Sequence, residues 1–140
     1  AASDVYKRQV EIMYNFKGIK PEIIDLLCLN SFNDSKSFYE EHKEELKQGA
    51  TVPMRQIMLD LADMMTQIDE KMYTDPIYTV SRIRRDTRRT KNKMMYRENL
   101  WIMFRRNKKI YPNAPFFWFE FRPDSYNPAY PKARAEENCL

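Results

Sequence analysis

The sequence predicts an α+β domain, with N-terminal helices packed on an antiparallel sheet. Two observations carry this. Apolar residues recur at helical spacing through the first half of the chain, and after Thr74-Asp75-Pro76 they give way to short aromatic runs bounded by prolines. With 140 residues, 43% of them hydrophobic, the chain is long enough to bury the core of one domain.

The helical half divides at its own punctuation. Pro21 suits a first helical turn, and Ile23, Ile24, Leu26 and Leu27 follow it as an apolar stripe. Residues 30–35, NSFNDS, are turn-forming types, with Asp34 or Ser35 available to cap the next helix. That helix, residues 36–47, sets Phe38, Tyr39, His42 and Leu46 against a solvated face of Glu40, Glu41, Glu44 and Glu45. Gly49 is expected to end or kink it. Pro53 opens a third helix whose Met54, Ile57, Met58, Leu61, Met64, Met65 and Ile68 keep a 3.6-residue period, a core stripe rather than a binding groove.

Residues 100–104 and 116–121 read as two strands joined by the proline-bounded stretch between them. In the second, Phe117, Phe119 and Phe121 alternate with Trp118 and Glu120, so one face is expected to be buried and the other partly polar. Residues 1–12 are read as a non-native or disordered leader, since AASDVYKRQ has no period and resembles read-through peptide. Residues 13–127 are read as a partial domain, and 128–140 as an irregular tail whose composition suits an out-of-frame ending. On that reading the chain is a truncated fragment, its aromatic second strand left as a template for self-association.

Composition removes several function classes. Two glycines, Gly18 and Gly49, cannot build a phosphate-binding glycine loop or a dinucleotide turn, so no nucleotide-type cofactor is expected. One histidine and two cysteines leave no metal-ligand spacing and no disulfide framework. No apolar run approaches the roughly 18 residues of a membrane span. No membrane association is expected, and the cytoplasm is the default location.

What remains is charge. Residues 82–109 hold twelve of the twenty-four Lys and Arg residues against only Asp86 and Glu98, so this segment is about +10 while the rest of the chain is about −6. A surface that merely keeps a protein soluble mixes its signs. Within the segment, Arg82, Arg85, Asp86, Arg88, Asn92, Lys93 and Tyr96 form the pattern R-x-x-R-D-x-R-x-x-x-N-K-x-x-Y. Extended backbone would put Arg82, Arg84, Asp86 and Arg88 on one face; a helix would align Arg82, Arg85, Arg88 and Asn92. Either way several guanidiniums gather, each able to grip a carboxylate or phosphate with two hydrogen bonds.

Three readings stay open. The cluster binds an anionic small molecule, with Lys93 adding a charge and Tyr96 a hydroxyl. It serves an enzyme acting on such a ligand, with Tyr96 or Asp86 carrying a proton and a nearby cation lowering the phenol. Or it is an ion-pair staple between helices and sheet, with no ligand. Nucleic acid is the second choice of partner, with Trp101, Phe104, Trp118 and Phe119 as stacking candidates, although such runs more often build cores. Nothing in the residues sets an oligomeric state.

The pattern resembles the signature of a bacterial family, domain of unknown function 2461, written R-x-x-R-D-x-R-F-x-x-[DN]-K-x-x-Y. Phe16-Lys17-Gly18 with Pro21 is similar to its opening, residues 33–39 to its N-N-N-R-E-W-F helix entry, and Ile68-Asp69 to its I-D-P. Residues 113–121 are similar to its aromatic strand. Arg89 replaces the signature phenylalanine, and beyond Asn127 the chain departs from the family's glycine-rich continuation. The resemblance implies an α+β fold and a candidate site at residues 82–96, but no chemistry.

Overall fold

The computed structural model describes residues 15–123. The readings of residues 1–12 and 128–140 lie outside the described residues. Helix α1 (Pro21–Asn33) opens on its proline and buries Ile23, Leu26 and Leu27. It runs through most of the segment read as a turn, because its last residues find partners as helix. Asn33 donates to the Leu29 carbonyl at 2.9 Å and Ser31 Oγ to the Tyr96 carbonyl at 3.4 Å, while Asn30 is buried with neither side-chain polar atom bonded among the described residues. The reversal is compressed into Asp34 and Ser35. Asp34 ends α1 in the left-handed region at φ 47° and its N–H donates to the Asn30 carbonyl, while Ser35 caps α2 (Lys36–Leu46) by accepting from Phe38 N at 3.2 Å.

Gly49 does not end the helical path. Residues Lys47–Thr51 form a π-helical turn that passes directly into α3 (Val52–Ile68), so one helical rod runs from Lys36 to Ile68. The glycine is needed because α1 crosses here: Ile23 lies where a side chain at position 49 would stand. Ala50, Met54 and Met58 then face the core at 0% exposure, Leu61 and Met65 pack against it partly buried, and Met64 and Ile68 at the far end are exposed. At the N-terminal entry, Phe16 N donates to Asp60 Oδ2 at 3.0 Å and ties residues 15–20 to the middle of α3.

A short α4 (Pro76–Thr79), capped by the Asp75 carboxylate, leads into an extended arm. Strands β1 (Leu100–Phe104) and β2 (Phe117–Phe121) pair antiparallel, Ile102 opposite Phe119. On the other side of β1 the arm adds isolated pairing. Tyr73 N donates to Arg105 O at 2.9 Å, Ser81 N to Trp101 O at 2.9 Å, and Val80 bridges Ile102. β1 is therefore the central extended segment, and Leu100, Ile102 and Phe104 are buried on alternate positions beneath the helices. Fully burying side chains of this size is worth about 1.5–3 kcal/mol each. The expected buried face of β2 is present only at its end: Phe121 packs against the core, whereas Phe117, Trp118 and Phe119 are all about half exposed on a strand that, among the described residues, pairs along one edge.

Candidate functional site

The basic segment folds as neither of the two simple geometries along its whole length. It is a hairpin whose outgoing arm carries residues 82–85 and whose return arm carries residues 95–97. Arg85 N donates to Met95 O at 2.7 Å, Arg97 N to Ile83 O at 3.1 Å, and Arg84 bridges Tyr96. Residues 86–94 form the tip. The hairpin is held on the helices through one carboxylate: Asp34 Oδ1 accepts from Met95 N at 2.8 Å and from Tyr96 N at 2.9 Å. Ser31 Oγ adds a longer bond to Tyr96 O at 3.4 Å.

This geometry distributes the signature. At the tip, Arg88 grips Asp86 through Nε at 2.9 Å and Nη2 at 2.7 Å, and its N–H donates to the same carboxylate. Those bonds hold the Asp86 carboxyl well below the usual carboxylate range. Both side chains stand in solvent, so the pair fixes the local turn and adds little to global stability. Asn92 Oδ1 accepts from Met94 N, and Lys93 Nζ donates to Thr87 O at 2.8 Å, both within the tip. Arg85 turns to a different surface, beside Ser31, Glu98 and Asn99.

Arg82, with Arg84 two residues on, lines a cleft of about 290 Å³ between the outgoing arm and the helical rod. The facing wall is Tyr39, Lys43, Lys47, Thr51 and Arg55, every fourth residue of the rod. In an unbroken α-helix four such steps would drift by about 160°, at 100° per residue, and carry Arg55 away from Tyr39. The π-helical turn accommodates an extra residue and takes back about 100° of that rotation, leaving the row on one side. Pro76, Ile77 and Val80 supply the cleft's apolar part. No acidic side chain lines it. Lys43 pairs with Glu40 at 3.5 Å, whereas Lys47, Arg55, Arg82 and Arg84 have no carboxylate partner among the described residues.

Residues 22–130 match the family model of a conserved hypothetical protein, DUF2461. The chain belongs to the DUF2461 family. Comparison with curated proteins and with solved structures returns no match.

In this DUF2461 chain the candidate proton carriers lie away from the cleft lining. Tyr96 is fully buried and stacks on Tyr39 with ring centroids 4.6 Å apart. Burial pushes its phenol up, and the opposing pull of the Arg84 charge is the smaller effect, so the hydroxyl stays protonated at neutral pH. Its oxygen has no hydrogen-bond partner among the described residues. Tyr96→Phe keeps the stack and removes that unsatisfied group. Stability in urea unfolding should hold or rise, by up to about 1–3 kcal/mol; a loss of that size would show that the hydroxyl is used.

Among the described residues no group of three or more His, Cys, Asp or Glu side chains is placed to hold a metal, and no helix is long and apolar enough to cross a membrane. Trp101, Phe104, Trp118 and Phe119 are not in the cleft wall. Arg97 covers Trp101 instead, its guanidinium 4.3 Å from the ring centroid, with burial lowering its pKa. Sequence reasoning missed Lys43, Lys47 and Arg55. Their signal was the four-residue spacing from Tyr39 to Arg55, readable only once the helix was known to continue through Gly49.

Proposed function

We propose that this DUF2461 domain binds a small phosphorylated or carboxylated anion of the cytoplasm, in the cleft between the helical rod and the arm of residues 82–84. The observation that carries the reading is a concave site lined by five basic side chains and no acidic one. Like charges held together repel, and an anion relieves that repulsion while guanidiniums supply directed hydrogen bonds. Thr51 offers a hydroxyl to the same space and the Tyr39 ring a flat wall, while the Ser81 hydroxyl oxygen is taken up by Trp101 N at 2.9 Å. On this reading Arg82 and Arg84 contact the ligand, while Asp86, Arg88, Asn92 and Lys93 shape the tip that ends the arm. The cleft suits a compact ligand better than a nucleic-acid strand, because only Tyr39 among its lining residues is aromatic.

The test is a thermal-shift screen of phosphates, nucleotides and organic acids, followed by titration of a hit against variants. A ligand at one hundred times its Kd stabilises the folded state by about 2.7 kcal/mol, a melting shift on the order of 10 °C for a domain this size. Arg82→Ala and Arg84→Ala should each weaken binding at least tenfold with an unchanged melting temperature, and affinity should fall with salt. Arg88→Ala and Lys93→Ala should leave it unchanged. If the tip variants weaken binding and the cleft variants do not, the site lies at the tip and the proposal is wrong.

A further inference from the structure

Resting on the anion-binding reading, the geometry points to a narrower ligand class: we propose that the cleft takes a compact organic molecule with two phosphoryl groups, a diphosphate or a bisphosphate. The first argument is length. Lys43 and Arg55 lie twelve residues apart on one helical path with Lys47 between them, so the cationic wall is drawn out along the cleft. Such a row offers bonding places to two phosphoryl groups, where a single phosphoryl group or a carboxylate fills one.

The second argument is charge. Lys47, Arg55, Arg82 and Arg84 line the cleft without a carboxylate partner among the described residues. One phosphate ester carries about −1.5 to −2 at neutral pH, so two balance four cations and one leaves half of them opposed. A monocarboxylate balances a quarter. The third argument is the mixed lining. Pro76, Ile77 and Val80 meet the cationic row in one cleft, which suits an organic body carrying its phosphoryl groups to two places. A volume of about 290 Å³ sits at the lower end of small-molecule sites, roughly 300–1,000 Å³, and so limits that body to a small one.

Calorimetric titration of the full chain at fixed ionic strength tests this with four probes: inorganic phosphate, inorganic pyrophosphate, a hexose monophosphate and the corresponding hexose bisphosphate. At least one two-phosphoryl probe should bind ten or more times tighter than its one-phosphoryl counterpart. Pyrophosphate gaining the advantage identifies adjacent phosphoryl groups, and the bisphosphate gaining it identifies separated ones. Arg55→Gln, at one end of the row, should erase most of that advantage while reducing phosphate affinity less than threefold, with circular dichroism confirming the fold.

If phosphate binds through Arg82 and Arg84 but neither two-phosphoryl probe binds tighter, this inference fails and the anion-binding reading stands. If none of the four binds, this inference fails and so does the phosphorylated form of the anion-binding reading; the organic acids of the thermal-shift screen then decide the carboxylated form. A single-stranded oligoribonucleotide that outcompetes every probe, with a logarithmic salt slope of several units, would also overturn it in favour of an extended polyanion.

Discussion

Asp34→Ala should be the most damaging single substitution outside the apolar core, lowering unfolding free energy by about 3–5 kcal/mol. Two costs combine. Oδ1 accepts from Met95 N and Tyr96 N, and at this half-buried carboxylate each bond contributes about 1–2 kcal/mol, toward the lower end for a charged acceptor. The backbone at φ 47° also penalises alanine by about 1 kcal/mol or more. Companion variants separate the terms. Asp34→Asn keeps an acceptor oxygen and tolerates the left-handed backbone, and should lose only about 1 kcal/mol. Asp34→Gly removes the acceptor but not the backbone freedom, and should fall between the two. Urea unfolding gives the ranking Asn above Gly above Ala. If Ala matched Asn, the carboxylate would not be what holds the hairpin on the helices.

Gly49→Ala should cost about 1–3 kcal/mol, although alanine is the better helix former by up to about 1 kcal/mol. A Cβ at this position overlaps the Ile23 side chain, Cδ1 nearest, with Cγ1 at 2.5 Å and Cγ2 at 3.0 Å; Cδ1 can rotate away, but the branched Cγ atoms are held by the strong χ1 preference of isoleucine in a helix. The strain is relieved by pushing α1 outward or by rewinding the π-helical turn. A double-mutant cycle isolates the contact. Ile23→Ala alone should cost about 2–5 kcal/mol, and clearly less when position 49 is already alanine. Strict additivity would mean that the two helices do not meet here. Rewinding would also rotate Arg55 against Lys43, so anion affinity should drop alongside stability.

Much of the helical layer was legible because its apolar period is local. Pro21 and Pro53 fall in first turns, and the buried set Leu46, Met54 and Met58 comes from stripes visible in the sequence. What could not be read was settled by distant partners. Residues 30–33 have turn-forming identities, yet they stay helical in a chain that buries Asn30 and docks Ser31 against the hairpin. Gly49 has the composition of a stop signal, and only the approach of Ile23, twenty-six residues earlier, makes it a passage.

The candidate site was half legible for the same reason. Charge density singled out the arm, and the choice between extended and helical backbone depended on bonds such as Arg85 N to Met95 O, which no local pattern encodes. The opposite wall went unseen because Lys43 and Lys47 lie in a helix dense with Glu, where basic residues read as ordinary solvated surface. β2 misled in the other direction. Its aromatic alternation is that of a half-buried strand, but alternation states only which side chains share a face, and only Phe121 at its end packs against the core.

The stack of Tyr39 on Tyr96 gives the cleft a chromophore of its own. Tyr39 forms part of the lining, and its ring is held 4.6 Å from a partner that is fully buried and fixed by backbone bonds on both sides of its Cα. Near-ultraviolet circular dichroism responds to aromatic rings in fixed asymmetric surroundings and vanishes when packing loosens. A ligand that displaces Tyr39 alters the coupling between the two stacked rings and so changes their shared near-ultraviolet signal. Occupancy of the cleft is thereby visible in the unlabelled protein, with no tag placed near its charges.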